Sequence, residues 1–200
     1  MNDLDHATDE RLVELARGGD RNAFRLLYER YRDATFRFAC LMLGSSEHAE
    51  DVAHDCFLGL IRNPGKFDPR RASLRTYLYA AARNLVLKRL RWWRREWLLA
   101  GSKNQSSTDR ETEPIANLLD IEMGEQVRKA LAHLPRPQRE AIVLFEYEDQ
   151  SLAEIAAITG AEVGTVKWRL HEARARLRQE LARYLDGGGD VCSGKTNRSK

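Results

Sequence analysis

Cysteine is scarce in this chain of 200 residues, which holds three cysteines and no CxxC pair. The scarcity argues against a small secreted domain stabilised by disulfides and favours a reduced, cytoplasmic setting. A zinc site drawing on His48, His54 and Cys56 would have an incomplete ligand set at a spacing that matches no known zinc motif. We therefore expect no metal ion and no cofactor.

Long apolar runs, alternating strand patterns and enzyme motifs are missing as well. No apolar segment is long enough to span a membrane, and the N-terminal sequence MNDLDHATDE is acidic, unlike a signal peptide. The chain has no glycine-rich phosphate loop between a strand and a helix, and no carboxylates clustered at metal-ligand spacing. These absences argue against direct membrane insertion, a small-molecule substrate and a catalytic site.

What the chain does contain is a series of helical patterns, each with an apolar stripe and most ended by a glycine or proline. The segment Gly101–Pro114 is polar and contains breakers, which is typical of a flexible linker. We predict an all-α chain with two small helical domains, residues 1–99 and 118–185, a flexible linker at 100–117 and a disordered tail at 186–200.

The segment Ser151–Arg178, SLAEIAAITGAEVGTVKWRLHEARARLR, has the pattern of a helix-turn-helix. Ser151 can cap the first helix with Glu154 at the reciprocal position, Gly160 ends that helix, and the second begins near Val163. Apolar residues at three- and four-residue steps bury one side of the second helix, and cations follow the other side. The pattern predicts binding to the major groove of duplex DNA, and a helical hairpin with a solvated face is the alternative.

The outward side of that second helix supplies the candidate contacts to DNA. The first turns of a recognition helix meet base edges, whereas cations further along contact phosphates and position the helix. We assign base reading to Lys167, Trp168, His171 and Glu172, flanked by Thr165, and phosphate contact to Arg174, Arg176 and Arg178.

Charge is unevenly distributed, although the net charge is only +3. The segment Arg70–Arg95 holds nine Lys and Arg residues and no acid, whereas Glu47–Asp55 is acidic and has no Lys or Arg. The basic segment indicates a surface that contacts phosphates, and the acidic segment indicates a docking face for a basic partner.

Between Ala23 and Arg183 the chain resembles the extracytoplasmic-function sigma factors of the sigma-70 family. One part of the resemblance rests on AFRLLYERYRDATFRFACLMLG, AEDVAHDCFLGLIRNPGKFDP and RTYLYAAARNLVLKRLRWWRRE, which are similar to sigma region 2. The other rests on ALAHLPRPQREAIVLFEYEDQ and the helix-turn-helix after it, which are similar to region 4. The resemblance implies a dissociable RNA polymerase subunit that gives promoter specificity to a stress- or signal-response regulon and does no chemistry itself.

The resemblance also implies partners for this chain. These are the RNA polymerase core, through its largest-subunit coiled coil and its flap, promoter DNA, and an anti-sigma factor that could hold the chain at the inner membrane. The residues implied to dock on the coiled coil are Glu50, Asp51 and Asp55, with His54 standing where the family commonly has glutamine.

In the family, the basic helix of region 2 binds the start-proximal promoter element as the duplex melts. Cations follow the strand, while aromatic side chains stack on unpaired bases. Here Tyr77 stands where many members have tryptophan, Lys88 lies near a common aspartate, and Phe67 is either a base contact or a core side chain. The implied contacts are Asn63, Phe67, Asp68, Arg70, Arg71, Arg75, Tyr77, Arg83, Asn84, Lys88 and Arg91, with Tyr79, Trp92 and Trp93 as further aromatics.

Two other functions compete with that of an initiation factor. A free-standing helix-turn-helix regulator would bind duplex DNA without polymerase, and an enzyme acting on nucleic acid would show nuclease or NTPase activity. The first domain argues against a regulator because it combines an acidic face with a basic one. The missing catalytic motifs argue against an enzyme.

Overall fold

The computed structural model describes residue 4 and residues 6–63, 66–99 and 124–187, with side chains described up to residue 183. Within those ranges it contains helices and no β-strand, and the predicted all-α fold is confirmed. The predicted linker at 100–117 and the tail from residue 188 onward, including Cys192, lie outside the described residues.

The described residues of the first domain form four α-helices: α1 (Asp9–Arg17), α2 (Arg21–Leu43), α3 (Ser46–Arg62) and α4 (Leu74–Leu99). Thr8, Asp20 and Ser45 cap α1, α2 and α3, because each side chain accepts a hydrogen bond from a backbone amide in the first turn. Gly44 ends α2 in the left-handed conformation, with a φ of 67°.

Between residues 124 and 187, the part of the second domain that the structure describes, lie four further α-helices: α5 (Glu125–His133), α6 (Arg136–Ile142), α7 (Leu152–Thr159) and α8 (Val163–Gly187). A π-helical turn, Val143–Tyr147, extends α6. The helix α8 covers the first two residues of the predicted tail, 186–200, because it runs to Gly187.

Apolar side chains of both domains form one continuous core. In the first domain α1, α3 and α4 pack on α2, and in the second α5, α6 and α7 pack on α8. The domains meet where α7 packs on α4 and where α2 contacts α5, α6 and the π-helical turn. A packed interface therefore joins the two domains, in addition to the linker that the sequence predicts.

Candidate DNA and polymerase interfaces

The helix-turn-helix has the local geometry that the sequence predicts. Ser151 Oγ accepts a hydrogen bond from the Glu154 amide at 3.3 Å, and Glu154 Oε2 accepts one from the Ser151 amide at 2.9 Å. Gly160 ends α7 with a φ of 67°, and α8 begins at Val163. The capping box and the left-handed glycine thus fix where one helix starts and where the chain turns into the next.

The outward side of α8 is open to solvent. Val166, Leu170 and Ala173 are buried on its inward side, whereas Trp168 keeps 58% of its surface exposed. Thr165 and Glu172 are partly buried. The other predicted contacts on this helix are exposed: Lys167, Trp168, His171, Arg174, Arg176 and Arg178. A row of polar and aromatic side chains therefore faces outward from a helix that its apolar stripe anchors, as a major-groove helix requires.

One predicted phosphate contact on α8 already has a partner within the second domain. Arg174 donates to Glu146 Oε1 from Nε at 3.0 Å and from Nη2 at 2.6 Å. Its guanidinium carbon also lies 5.2 Å from the centre of the Phe145 ring. Because Glu146 already engages two nitrogens of Arg174, Arg176 and Arg178 are the more accessible cations.

The predicted docking residues on α3 form an exposed acidic face. Glu50, Asp51, His54 and Asp55 are all exposed. Cations of neighbouring helices hold two of the carboxylates, since Arg32 of α2 donates to Glu50 at 3.2 Å and Arg89 of α4 to Asp51 at 2.9 Å. Surface ion pairs of this kind are weak, so a basic partner can displace them.

The loop before α4 holds two of the predicted DNA contacts in place. Arg70 donates to both carboxylate oxygens of Asp68, at 3.0 and 3.1 Å, and these bonds lower the pKa of Asp68. Phe67 keeps only 5% of its surface exposed, and its ring centre lies 5.4 Å from that of Tyr77. The core position that the sequence left open for Phe67 is thus the observed one, and its ring is not presented to a base.

The basic helix α4 does not present all of its predicted contacts to solvent. Six of the predicted contacts in and around it are exposed: Asn63, Arg70, Arg71, Asn84, Lys88 and Arg91. Arg75 and Arg83 are half-buried, because Arg75 donates to the main-chain oxygen of Glu148 and Arg83 donates to the carboxylate of Glu140. Both partners belong to the second domain.

The further aromatics of α4 differ in exposure. Tyr79 is buried with 2% of its surface exposed, so in this arrangement it cannot stack on a base. Trp93 is half-buried and its ring centre lies 5.0 Å from that of His48. Trp92 keeps 46% of its surface exposed and is the aromatic of this set that remains accessible.

Glu148, which lies at the centre of the interface between the two domains, was not identified from the sequence. Its side chain is fully buried and accepts hydrogen bonds from Arg37 Nε at 2.8 Å, Arg37 Nη2 at 3.2 Å and the Tyr79 hydroxyl at 2.5 Å. Burial raises the pKa of Glu148, and Arg37 and Tyr79 oppose that rise only in part. The carboxylate is therefore a polar contact enclosed between the domains.

Comparison with known proteins shows which family this chain resembles. The model of sigma-70 region 2 matches residues 27–96, and the model of sigma-70 region 4 matches residues 124–177. The chain is 30% identical to the ECF RNA polymerase sigma factor SigW of Bacillus subtilis over 177 residues, covering 84% of this chain and 94% of that one. It is 31% identical to the ECF sigma factor SigM of Mycobacterium tuberculosis over 185 residues, covering 92% and 89%.

The chain belongs to the ECF sigma factors of the sigma-70 family. Its function is therefore that of the family, promoter-directed initiation of transcription, and the family identity implies a specificity subunit rather than a catalyst. The resemblance to this family that the sequence motifs indicated is confirmed.

Two solved structures resemble this ECF sigma factor over most of its length. RpoE in complex with the anti-sigma factor NepR from Bartonella quintana matches with a TM-score of 0.67 and 26% identity, covering 80% of this chain and 96% of that one. CnrH in complex with the cytosolic domain of CnrY matches with a TM-score of 0.63 and 26% identity, covering 88% and 97%.

Two further observations concern the described part of this sigma factor. None of its described helices is both long and apolar enough to cross a membrane. Across the same residues, no three His, Cys, Asp or Glu side chains gather into a group that could hold a metal ion. His48, His54 and Cys56 are thus not brought together as a ligand set.

Proposed function

We propose that this sigma factor directs RNA polymerase to promoters through three separate surfaces. The outward side of α8 reads the upstream element as duplex, the exposed cations of the first domain hold the start-proximal strand, and the acidic face of α3 docks on polymerase. The observation that carries the proposal is the exposed row on α8, because Trp168 and its polar neighbours face solvent while the opposite stripe is buried.

The polymerase partner is the coiled coil of the largest subunit, with the flap as the partner of the second domain. Charge supports the first assignment, since Glu50, Asp51 and Asp55 lie exposed along one side of α3. An anti-sigma factor controls the chain, and the similarity to RpoE in its complex with the anti-sigma factor NepR supports this. The chain acts in the cytoplasm, free or held at the inner membrane by that partner, and has no catalytic activity of its own.

Reconstituted transcription tests the proposed function. The purified chain is added to core RNA polymerase with fragmented genomic DNA, and transcript starts are mapped with and without the chain. We expect starts at a subset of sites that share two sequence elements. If the same transcript starts are found with and without a saturating concentration of the chain, the proposed function is wrong. If the chain binds DNA but does not bind polymerase, it is a free-standing regulator.

The docking face has its own test. Reversing the charges of Asp51 and Asp55 to lysine should weaken binding to core polymerase, because two exposed carboxylates become cations facing a basic partner. The matched control is the Glu10→Lys, Glu14→Lys variant, which makes the same charge change at two exposed positions of α1. Equal binding by the two variants in a fluorescence titration would exclude α3 as the docking face.

A further inference from the structure

Two carboxylates of the second domain form ion pairs with arginines of the first domain. Glu148 lies in the turn after the π-helix and is fully buried, and Arg37 of α2 holds it with two hydrogen bonds at 2.8 and 3.2 Å. Tyr79 of α4 adds a third bond to the same carboxylate, at 2.5 Å. Arg75, one helical turn before Tyr79, donates to the main-chain oxygen of Glu148.

A second pair lies further along α4. Arg83 Nε donates to Glu140 Oε1 of α6 at 2.5 Å, with 20% of the Arg83 side chain and 3% of the Glu140 side chain exposed. Arg75 and Arg83 are two of the cations assigned to the start-proximal strand. Each is therefore covered, in this arrangement, by an oxygen acceptor from the other domain.

Carboxylate and phosphate oxygens make the same charge-assisted hydrogen bonds to a guanidinium group. We propose that Glu140 and Glu148 make the second domain an intramolecular competitor of the promoter strand, so that the closed chain withholds Arg75 and Arg83 from DNA. The inference rests on the proposed function of α4. It identifies which acidic residues regulate that surface and which cations they withhold.

The closure acts on one surface and leaves the other two open. Lys167, Trp168 and His171 on α8 remain exposed, and so do Asp51 and Asp55 on α3. The closed chain can therefore engage polymerase and an upstream duplex while its start-proximal surface is partly covered. Because the second domain covers the same two guanidinium groups that the strand would contact, release of that domain and binding of the strand favour each other, as linkage requires.

The test uses the full chain and a fluorescein-labelled single-stranded DNA of 20 nucleotides and mixed sequence. The Glu140→Gln, Glu148→Gln variant keeps side-chain size and removes both charges. We expect it to bind the oligonucleotide at least about tenfold more tightly than the unmodified chain. The apparent affinity of the unmodified chain is reduced by the fraction of molecules in which the second domain has left α4. Two further phosphate contacts should also steepen the dependence of log K on log salt by roughly 1.4.

The matched control is the Glu125→Gln, Glu180→Gln variant. It makes the same charge change in the same domain and removes the carboxylates that pair with Lys129 and Arg183. Affinity of the two variants for the oligonucleotide within a factor of two of each other would overturn the proposal. Sequence preference on double-stranded DNA, which comes from α8, should be the same in both variants.

Hydrogen exchange on the unmodified chain gives a second measurement that does not depend on how the variants fold. Saturating oligonucleotide should speed amide exchange in residues 143–150, because DNA on α4 displaces the turn that carries Glu148. Unchanged exchange there, with DNA bound, would overturn competition. Transcription from mapped promoters decides the proposed function separately, so its failure and the failure of this competition give different results.

Discussion

Removal of Arg37 is the sharpest test of the interface between the two domains. Arg37 holds both carboxylate oxygens of Glu148, which is fully buried, while 32% of the Arg37 side chain remains exposed. In the Arg37→Ala variant, Glu148 keeps the Tyr79 hydroxyl but loses its bidentate partner. A buried carboxylate without that partner would have to stay desolvated, take up a proton or return to water.

The size of the effect follows from these three possibilities. Breaking a buried ion pair costs about 3–5 kcal/mol, and the partial exposure of Arg37 places this pair at or below the lower end, at about 2–3 kcal/mol. The loss cannot exceed the free energy that couples the domains, because Glu148 regains water when they part. We therefore expect the two domains of the variant to separate first and then to unfold independently of each other.

Differential scanning calorimetry measures that cooperativity. The unmodified chain should unfold in one transition with equal calorimetric and van't Hoff enthalpies, and the Arg37→Ala variant should unfold in two. The matched control is Arg25→Ala on the same helix, since Arg25 pairs with Glu29 at 3.2 Å on the surface, with both side chains more than half exposed. Its cost should be below about 0.5 kcal/mol.

Two outcomes of the calorimetry would refute the reasoning. If Arg37→Ala unfolds like Arg25→Ala, the buried pair does not stabilise the closed arrangement. If the unmodified chain already shows two transitions, the domains are not coupled and Glu148 has another role. In the first case the Glu140→Gln, Glu148→Gln variant should also leave binding to single-stranded DNA unchanged.

Three further predictions concern other parts of the chain. The Ser151→Ala variant should lower the free energy of unfolding by about 1 kcal/mol and Ser151→Gly by only a few tenths, as measured by urea titration, and equal losses would exclude a capping role. Burial raises the pKa of the Cys56 thiol to about 12, so in a Cys40→Ser, Cys192→Ser chain it should resist thiol reagents at pH 8, and rapid labelling would contradict its burial. That pKa is higher in the folded chain than the ordinary value of 9.0, so folding favours the protonated thiol. The contribution of the protonated Cys56 thiol to the free energy of unfolding is therefore complete below pH 9 and is lost as the pH rises toward 12. The Lys167→Ala variant should lose about 1–3 kcal/mol of discrimination at one base pair in a sequence-selection assay, and an unchanged preference would remove Lys167 from base reading.

The helices and the helix-turn-helix could be predicted because their signals are local. Each signal acts within one or two helical turns, and each lies where the sequence indicates. The signals are the capping box of Ser151 and Glu154, the terminating Gly160, and the apolar stripe at Val166 and Leu170. The exposure of the acidic face of α3 was equally predictable, since its charges alternate with an apolar stripe on the same helix. These features required no knowledge of what the helix packs against.

The interface between the domains was not predictable from such signals. Glu148 lies in the segment EYEDQ, which has the composition of an ordinary solvated turn, and its partner Arg37 is 111 positions away in the sequence. In the sequence Arg83 is one more cation of a basic helix, whereas in the structure it donates a hydrogen bond to Glu140. A pairing between distant charges has no periodicity of its own, so only the packing of α7 on α4 reveals it.

The choice of a buried carboxylate at this interface has a physical consequence for how tightly the domains hold. Apolar side chains of the same volume are often as stabilising as a buried ion pair or more so, since the charges must first lose their water. An apolar contact at Glu148 would also have no affinity for the groups that bind DNA. With Glu148 on Arg37 and Tyr79, and Glu140 on Arg83, the closed form is specific in geometry, limited in strength and opposed by any polyanion that approaches α4. Those three properties are the ones that a reversible cover over a DNA-binding surface needs.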